Sequence, residues 1–86
     1  MTKNANHDEL FSVLLKLQSI EEYRKFFADL CTHKELDAMT QRLTAAKLLL
    51  NGETFEKIVS ITDISSATLS KINKCVKYGE GYKNFI

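Results

Sequence analysis

Residues Thr54–Lys77, TFEKIVSITDISSATLSKINKCVK, decide the reading of this chain. Ile58 and Val59, then Ile64, then Leu69 and Ile72 are spaced as two short helices meeting at a tight turn, with Ile64 plugging the angle. Once these five side chains face inward, helical geometry leaves Ser65, Ser66, Ala67, Ser70, Lys71 and Lys74 on the outer face of the second helix. Short polar side chains fit a DNA major groove and lysines meet phosphates, which is what the second helix of a helix-turn-helix requires. Ser65 or Ser66 can cap that helix, whose free N–H groups and dipole favour a phosphate oxygen. The candidate DNA-facing residues are Thr54 and Lys57 at the start of the first helix, and Ser65, Ser66, Ala67, Thr68, Ser70, Lys71 and Lys74 in the second. One position departs from the usual pattern: the turn residue commonly taken by glycine is Asp63, which would have to tolerate a positive φ there.

Working outward, 86 residues make one small domain, and a chain of this size needs very good packing or association to be stable. Net charge is only +1, but it is unevenly placed. Acidic residues slightly outnumber basic ones up to Glu53, whereas beyond Ser65 only Glu80 stands against Lys71, Lys74, Lys77 and Lys83. There is no apolar run long enough to span a bilayer and no signal-peptide pattern, so a cytoplasmic protein is expected. Cys31 and Cys75 are too few and too far apart for a disulfide framework or zinc finger, and read as reduced thiols. Cys31 and His33, two residues apart, do not share a helix face, so no metal or other cofactor is expected. No nucleophile–base constellation, paired acid cluster or glycine-rich phosphate loop appears, and the chain does not read as an enzyme.

The absence of proline and the presence of only three glycines agree with an all-α chain. Past a frayed MTKNANH, a first helix is expected from about Asp8 to Leu17, and a second follows a Ser19/Glu22 capping box and runs through Cys31. A Thr32/Glu35 capping box opens the longest helix, with Leu36, Met39, Leu43, Ala46 and Leu50 three and four apart, ended by Asn51 and Gly52. Leu14, Leu15, Phe26, Phe27, Leu48, Leu49 and Leu50 cover more than one face of their helices, more apolar surface than one small layer hides. That excess predicts a dimer core in residues 8–50, with the helix-turn-helix of residues 54–77 as its head. Two copies also suit a small DNA reader, because two-fold symmetry places a second reading helix about one turn of DNA away. The tail YGEGYKNFI, with Gly79 and Gly81, could fold back onto the body or onto a partner.

With these residues in view, the chain resembles the Trp repressor superfamily, in its YerC/YecD-type branch. The resemblance rests on THKELDAMTQRLTAAKLLLNGE (Thr32 to Glu53), SSATLSKINK (Ser65 to Lys74) and YGEGY (Tyr78 to Tyr82), and covers most of the chain. It implies an all-helical, intertwined homodimer with a helix-turn-helix head on each side, acting as a transcriptional repressor on a palindromic operator. It further implies Thr54 to Thr62 as supporting helix and Ser65 to Lys77 as reading helix, with Ser66, Ala67, Ser70 and Lys71 nearest the bases. In the Trp repressor an indole lies between two arginines. By resemblance Arg42 takes the first position, but Lys71 takes the second, and a lysine lacks the planar guanidinium that stacks on an indole. Ile72 stands where the Trp repressor has glycine and should fill ligand space. Arg42 and Lys71 are therefore a possible effector pocket in which tryptophan is not expected, and Arg42 is better read as a salt-bridge residue, to Asp37, to Glu53 or across the dimer. The competing class is a protein-interaction module on the same fold, which would show an exposed apolar patch on the second helix.

Overall fold

The computed structural model describes residues 6–86, and among these every regular element is helical. The helices are α1 His7–Leu14, α2 Ile20–Leu30, α3 His33–Leu50, α4 Phe55–Ile61, α5 Ser66–Tyr78 and α6 Tyr82–Phe85. They fall into two compact units, Met1–His33 and Lys34–Ile86, so α3 belongs with the helix-turn-helix.

In the first unit, Met1–Ala5 of the polar start lie outside the described residues, but Asn6 and His7 are not frayed: the Asn6 side chain accepts from the Asp8 N–H at 3.0 Å and His7 opens α1. The first helix stops at Leu14 rather than Leu17. Its last amides tighten to three-residue spacing, Lys16 to the Val13 carbonyl and Leu17 to that of Leu14. The next amide, Gln18, is taken at 2.8 Å by the Glu22 carboxylate, while the Ser19 hydroxyl caps the Glu22 N–H at 3.1 Å. Glu22 thus reaches one residue further back than a capping box predicts, and that capture ends one helix as it begins the next. Tyr23 Oη donates to the Leu14 carbonyl at 3.3 Å, and Tyr23, Phe27 and Phe26 form a short aromatic row. None of the residues of α1 or α2 is buried, and Leu15 is 85% exposed. Among the described residues of this unit none is buried, so its apolar surface enters no core there.

The second unit does have one. Ala45 and Ala46 of α3, Ile58 of α4, Ile64 of the turn, and Leu69, Ile72 and Val76 of α5 form a buried cluster, against which Leu48, Leu49 and Tyr82 pack. Four of the five expected hinge residues are in it. Val59 is not: it is 38% exposed, because one residue along a helix turns about 100° and α4 offers its inner face to Ile58 alone. Val76 and the two alanines complete the cluster in its place.

Gly52 ends α3 in a Schellman arrangement. Its φ is +85°, its amide donates to Leu49 and that of Glu53 to Leu48, both at 3.0 Å. The sharp corner between α4 and α5 is built differently from expectation, since Asp63 does not adopt positive φ. Thr62 replaces the glycine geometry with side-chain bonds: its hydroxyl donates to the Ile58 carbonyl at 2.8 Å and accepts from the Ile64 amide at 3.4 Å.

Along α3 the predicted stripe is present but does not form the core. Ala46 is buried, whereas Leu36, Met39, Leu43 and Leu50 are each between 37% and 42% exposed. The face of α3 that packs on the corner is that of Ala45, Ala46, Leu48 and Leu49.

Candidate nucleic-acid interface

Helix α5, the expected reading helix, is defined at both ends by its own residues. Ser65 caps it, accepting from the Thr68 N–H at 3.2 Å while its hydroxyl donates to Thr68 Oγ1 at 3.1 Å. Gly79 closes it, its amide returning to the Cys75 carbonyl at 2.9 Å. Leu69, Ile72 and Val76 recur at three and four residues and are buried, which fixes the rotation of the helix about its axis. The opposite face then follows: Ser65, Ser66, Ala67, Ser70, Lys71, Lys74 and Lys77 are all exposed. No acidic residue occurs anywhere in α5, so no carboxylate on the helix itself neutralises its lysines.

Thr68 is half-buried beneath the cap and lines the cleft toward α3 rather than the outer face. On the supporting helix, Thr54 is the cap of α4, accepting from the Lys57 N–H at 3.2 Å. Lys57 is exposed but its Nζ lies 3.1 Å from Glu53 Oε2, so part of its charge is already met within the chain.

Two clefts separate α3 from the corner. The larger, about 650 Å³, is lined by Lys34, Asp37, Gln41 and Arg42 of α3 with Asp63, Ser65 and Thr68. The smaller, about 280 Å³, brings Arg42 together with Lys71, Ile72, Cys75 and Tyr82. Arg42 and Lys71 thus do share one cavity, and Ile72 forms part of its wall. That volume is slightly under the roughly 300–1,000 Å³ of ordinary ligand pockets. Glu53, one of the partners expected for Arg42, lies 3.1 Å from Lys57, and the exposed Arg42 lines both clefts.

Two contributors escaped the sequence reading. Gln41 Oε1 accepts from the Asp63 amide at 3.4 Å and ties the turn to α3, and nothing in its position on a polar helix face marks it. Tyr82 walls the small cavity, and the paired glycines before it were the one available signal. Among the described residues no group of three or more His, Cys, Asp or Glu is placed to hold a metal ion, and no helix is long and apolar enough to cross a membrane.

Comparison with known proteins agrees with this geometry. The family model described as Trp repressor protein matches residues 5–86. The chain is 43% identical over 72 residues to the uncharacterized protein YerC of Bacillus subtilis (strain 168), a match spanning 84% of this chain and 69% of YerC. Among solved structures, a TrpR-like protein from Eubacterium eligens superposes with a TM-score of 0.85 at 35% identity, over 94% of this chain and 84% of the other. With its helix-turn-helix, its α3 and nearly its whole length matched, this chain belongs to the Trp repressor family.

Proposed function

We propose that the protein is a sequence-specific transcriptional regulator, a repressor, that binds a palindromic operator in the cytoplasm as a homodimer and does so without tryptophan as corepressor. The observation that carries this reading is the division of α5 into a buried apolar face and an acid-free face of small polar residues and lysines. Ser66, Ala67, Ser70 and Lys71 lie nearest the bases, the ammonium of Lys71 joins Lys74 and Thr54 on the flanking phosphates, and Lys57 makes a weaker contact. Because α5 buries Leu69, Ile72 and Val76 within its own unit, its outer face from Ser66 to Lys74 offers little apolar surface to a protein partner, the exposed Tyr78 lying at the far end of the helix, which favours DNA over the protein-interaction alternative.

The dimer rests on separate observations. No residue of α1 or α2 is buried, and α3 exposes Leu36, Met39, Leu43 and Leu50 on one stripe. An exposed apolar stripe like that of α3 marks an association site, and a second copy with the same stripe supplies a matching face. Residues 8–50 form the dimerisation core of a single functional domain and residues 54–77 its DNA-reading head. The absence of tryptophan follows from Lys71 and Ile72 in the small cavity with Arg42: a lysine cannot stack on an indole as a guanidinium does, and the isoleucine occupies the approach.

Selection of bound duplexes from a random pool, with and without tryptophan, tests the proposal. The expected product is one palindromic motif whose half-sites are centred about 10 base pairs apart or a multiple of that, the same in both pools. Failure to enrich any motif refutes sequence-specific binding, and a motif that requires tryptophan refutes the effector-free reading.

A further inference from the structure

The C-terminal segment after α5 returns to the body of the second unit through a reversal that this sequence specifies closely. A Cβ at Gly79 would stand 2.6 Å from the Cys75 carbonyl oxygen, so only glycine lets the chain turn so near the end of α5. Beyond it, Lys83 Nζ donates to the Lys77 carbonyl at 3.4 Å, satisfying one of the free carbonyls of the last turn of α5. Asn84 Nδ2 donates to Glu80 Oε2 at 3.0 Å, closing the segment on itself. Ile86 reaches a shallow cleft formed with Lys47, Leu50 and Asn51 at the end of α3.

The reversal delivers Tyr82 to a particular place. Its ring packs on the buried cluster that holds α5 and stands in the wall of two cavities at once. One is shared with Arg42, Thr68, Lys71, Ile72 and Cys75, the other, of about 380 Å³, with Cys75, Gly79 and Gly81. An aromatic side chain is therefore already seated beside the cleft between α3 and the reading helix, tethered to that helix by only Gly79, Glu80 and Gly81. A ring held there by its own chain braces α5 without the entropic loss of capturing a free molecule.

We propose that Gly79–Ile86 is a strap that holds Tyr82 against α5, so that the pose of the reading helix is set from within the chain in place of a free effector. The inference rests on α5 being the reading helix of the proposed regulator, but its first test requires no DNA. Amide hydrogen exchange along Ser66–Lys74 is measured for the full chain and for Tyr82→Ala, Tyr82→Phe and Gly79→Ala, each with and without para-cresol, the side chain that the first variant lacks. Tyr82→Ala is expected to exchange roughly tenfold faster over Ser66–Lys74 than the parent, with the phenol restoring protection. The phenol should leave the parent unchanged, and Tyr82→Phe should stay within about twofold of it. Gly79→Ala removes no core group and should reproduce the faster exchange, which guards against a Tyr82→Ala chain that merely unfolds. Unchanged α5 protection in Tyr82→Ala, or in Gly79→Ala, overturns the strap. The same variants are then titrated with selected duplex, where Tyr82→Ala should lose affinity and regain it with para-cresol. Duplex affinity equal to the parent without the phenol also overturns the proposal, whereas a parent that binds no duplex refutes the function while leaving the exchange result standing.

Discussion

Replacing Lys71 and Lys74 together by alanine should change the salt dependence of operator binding more than anything else about the protein. Both ammonium groups are on the exposed face of α5, three residues apart and so on neighbouring turns, and the helix contains no carboxylate to pair with them. Each phosphate contact adds about 0.9 to the slope of log affinity against log salt. Two lysines in each of two chains make four contacts, so the variant's slope should be shallower by about 3.6. Over a fourfold rise in salt the parent should lose roughly 150-fold more affinity than the variant. Were only one chain to dock, the difference would be about 1.8 in slope and roughly 12-fold in affinity. Fluorescence anisotropy of a labelled duplex across a salt series measures the slope, with circular dichroism to verify that the variant keeps its helices. Equal slopes in parent and variant would refute the assignment of α5 as the DNA-facing helix, and the smaller difference would refute two-fold binding. Lys57→Ala is the internal control: its ammonium is already held 3.1 Å from Glu53, so its effect on the slope should fall below that of either lysine of α5.

Leu69 is completely buried with Ile58 at the centre of the corner. Its change to alanine should cost about 3–5 kcal/mol, a large part of the roughly 4–13 kcal/mol available to a chain of this length, and a loss under about 1 kcal/mol in urea unfolding would contradict the core described above. At Gly52 an added Cβ meets nothing within 4 Å, so alanine there pays only for the +85° φ. The expected loss is about 1–2 kcal/mol, seen as a melting point lower by about 4–8 °C for each kcal/mol; an unchanged melting point would show that the turn relaxes. Met39→Glu combined with Leu43→Glu places carboxylates on the exposed stripe of α3, where burial against a second copy would cost several kcal/mol. Sedimentation equilibrium should show dimer dissociation strengthened by about 100-fold or more, and an unchanged dimer would move the interface elsewhere.

Much of the second unit could be read without coordinates because its signals are local. A serine cap at Ser65 or Ser66, Gly52 as a stop, and the spacing of Ile58, Ile64, Leu69 and Ile72 each follow from backbone chemistry within a turn or two. The errors lie where two local options compete. Val59 is as apolar as Ile58 and only the crossing of the helices chose between them. At Asp63 the position in the turn suggests positive φ, and the sequence does not reveal that the Thr62 hydroxyl bonds the neighbouring backbone groups with ordinary φ. Leu17 fell outside α1 because Glu22 captured the Gln18 amide, a contest between two neighbouring helix signals.

By itself, then, the sequence determined the helical class, the position of the corner and which face of the reading helix is polar, since periodicity and capping act over a few residues. It could not determine which stripe of α3 meets the corner and which is left open, because both faces are apolar and only the packing of the helices buries Ala45 and Ala46 while leaving Leu36, Met39, Leu43 and Leu50 exposed. Nor could it bring Tyr82 to the cleft of Arg42 and Lys71, residues 40 and 11 positions away along the chain. That meeting depends on the reversal at Gly79, whose clearance from the Cys75 carbonyl exists only in three dimensions.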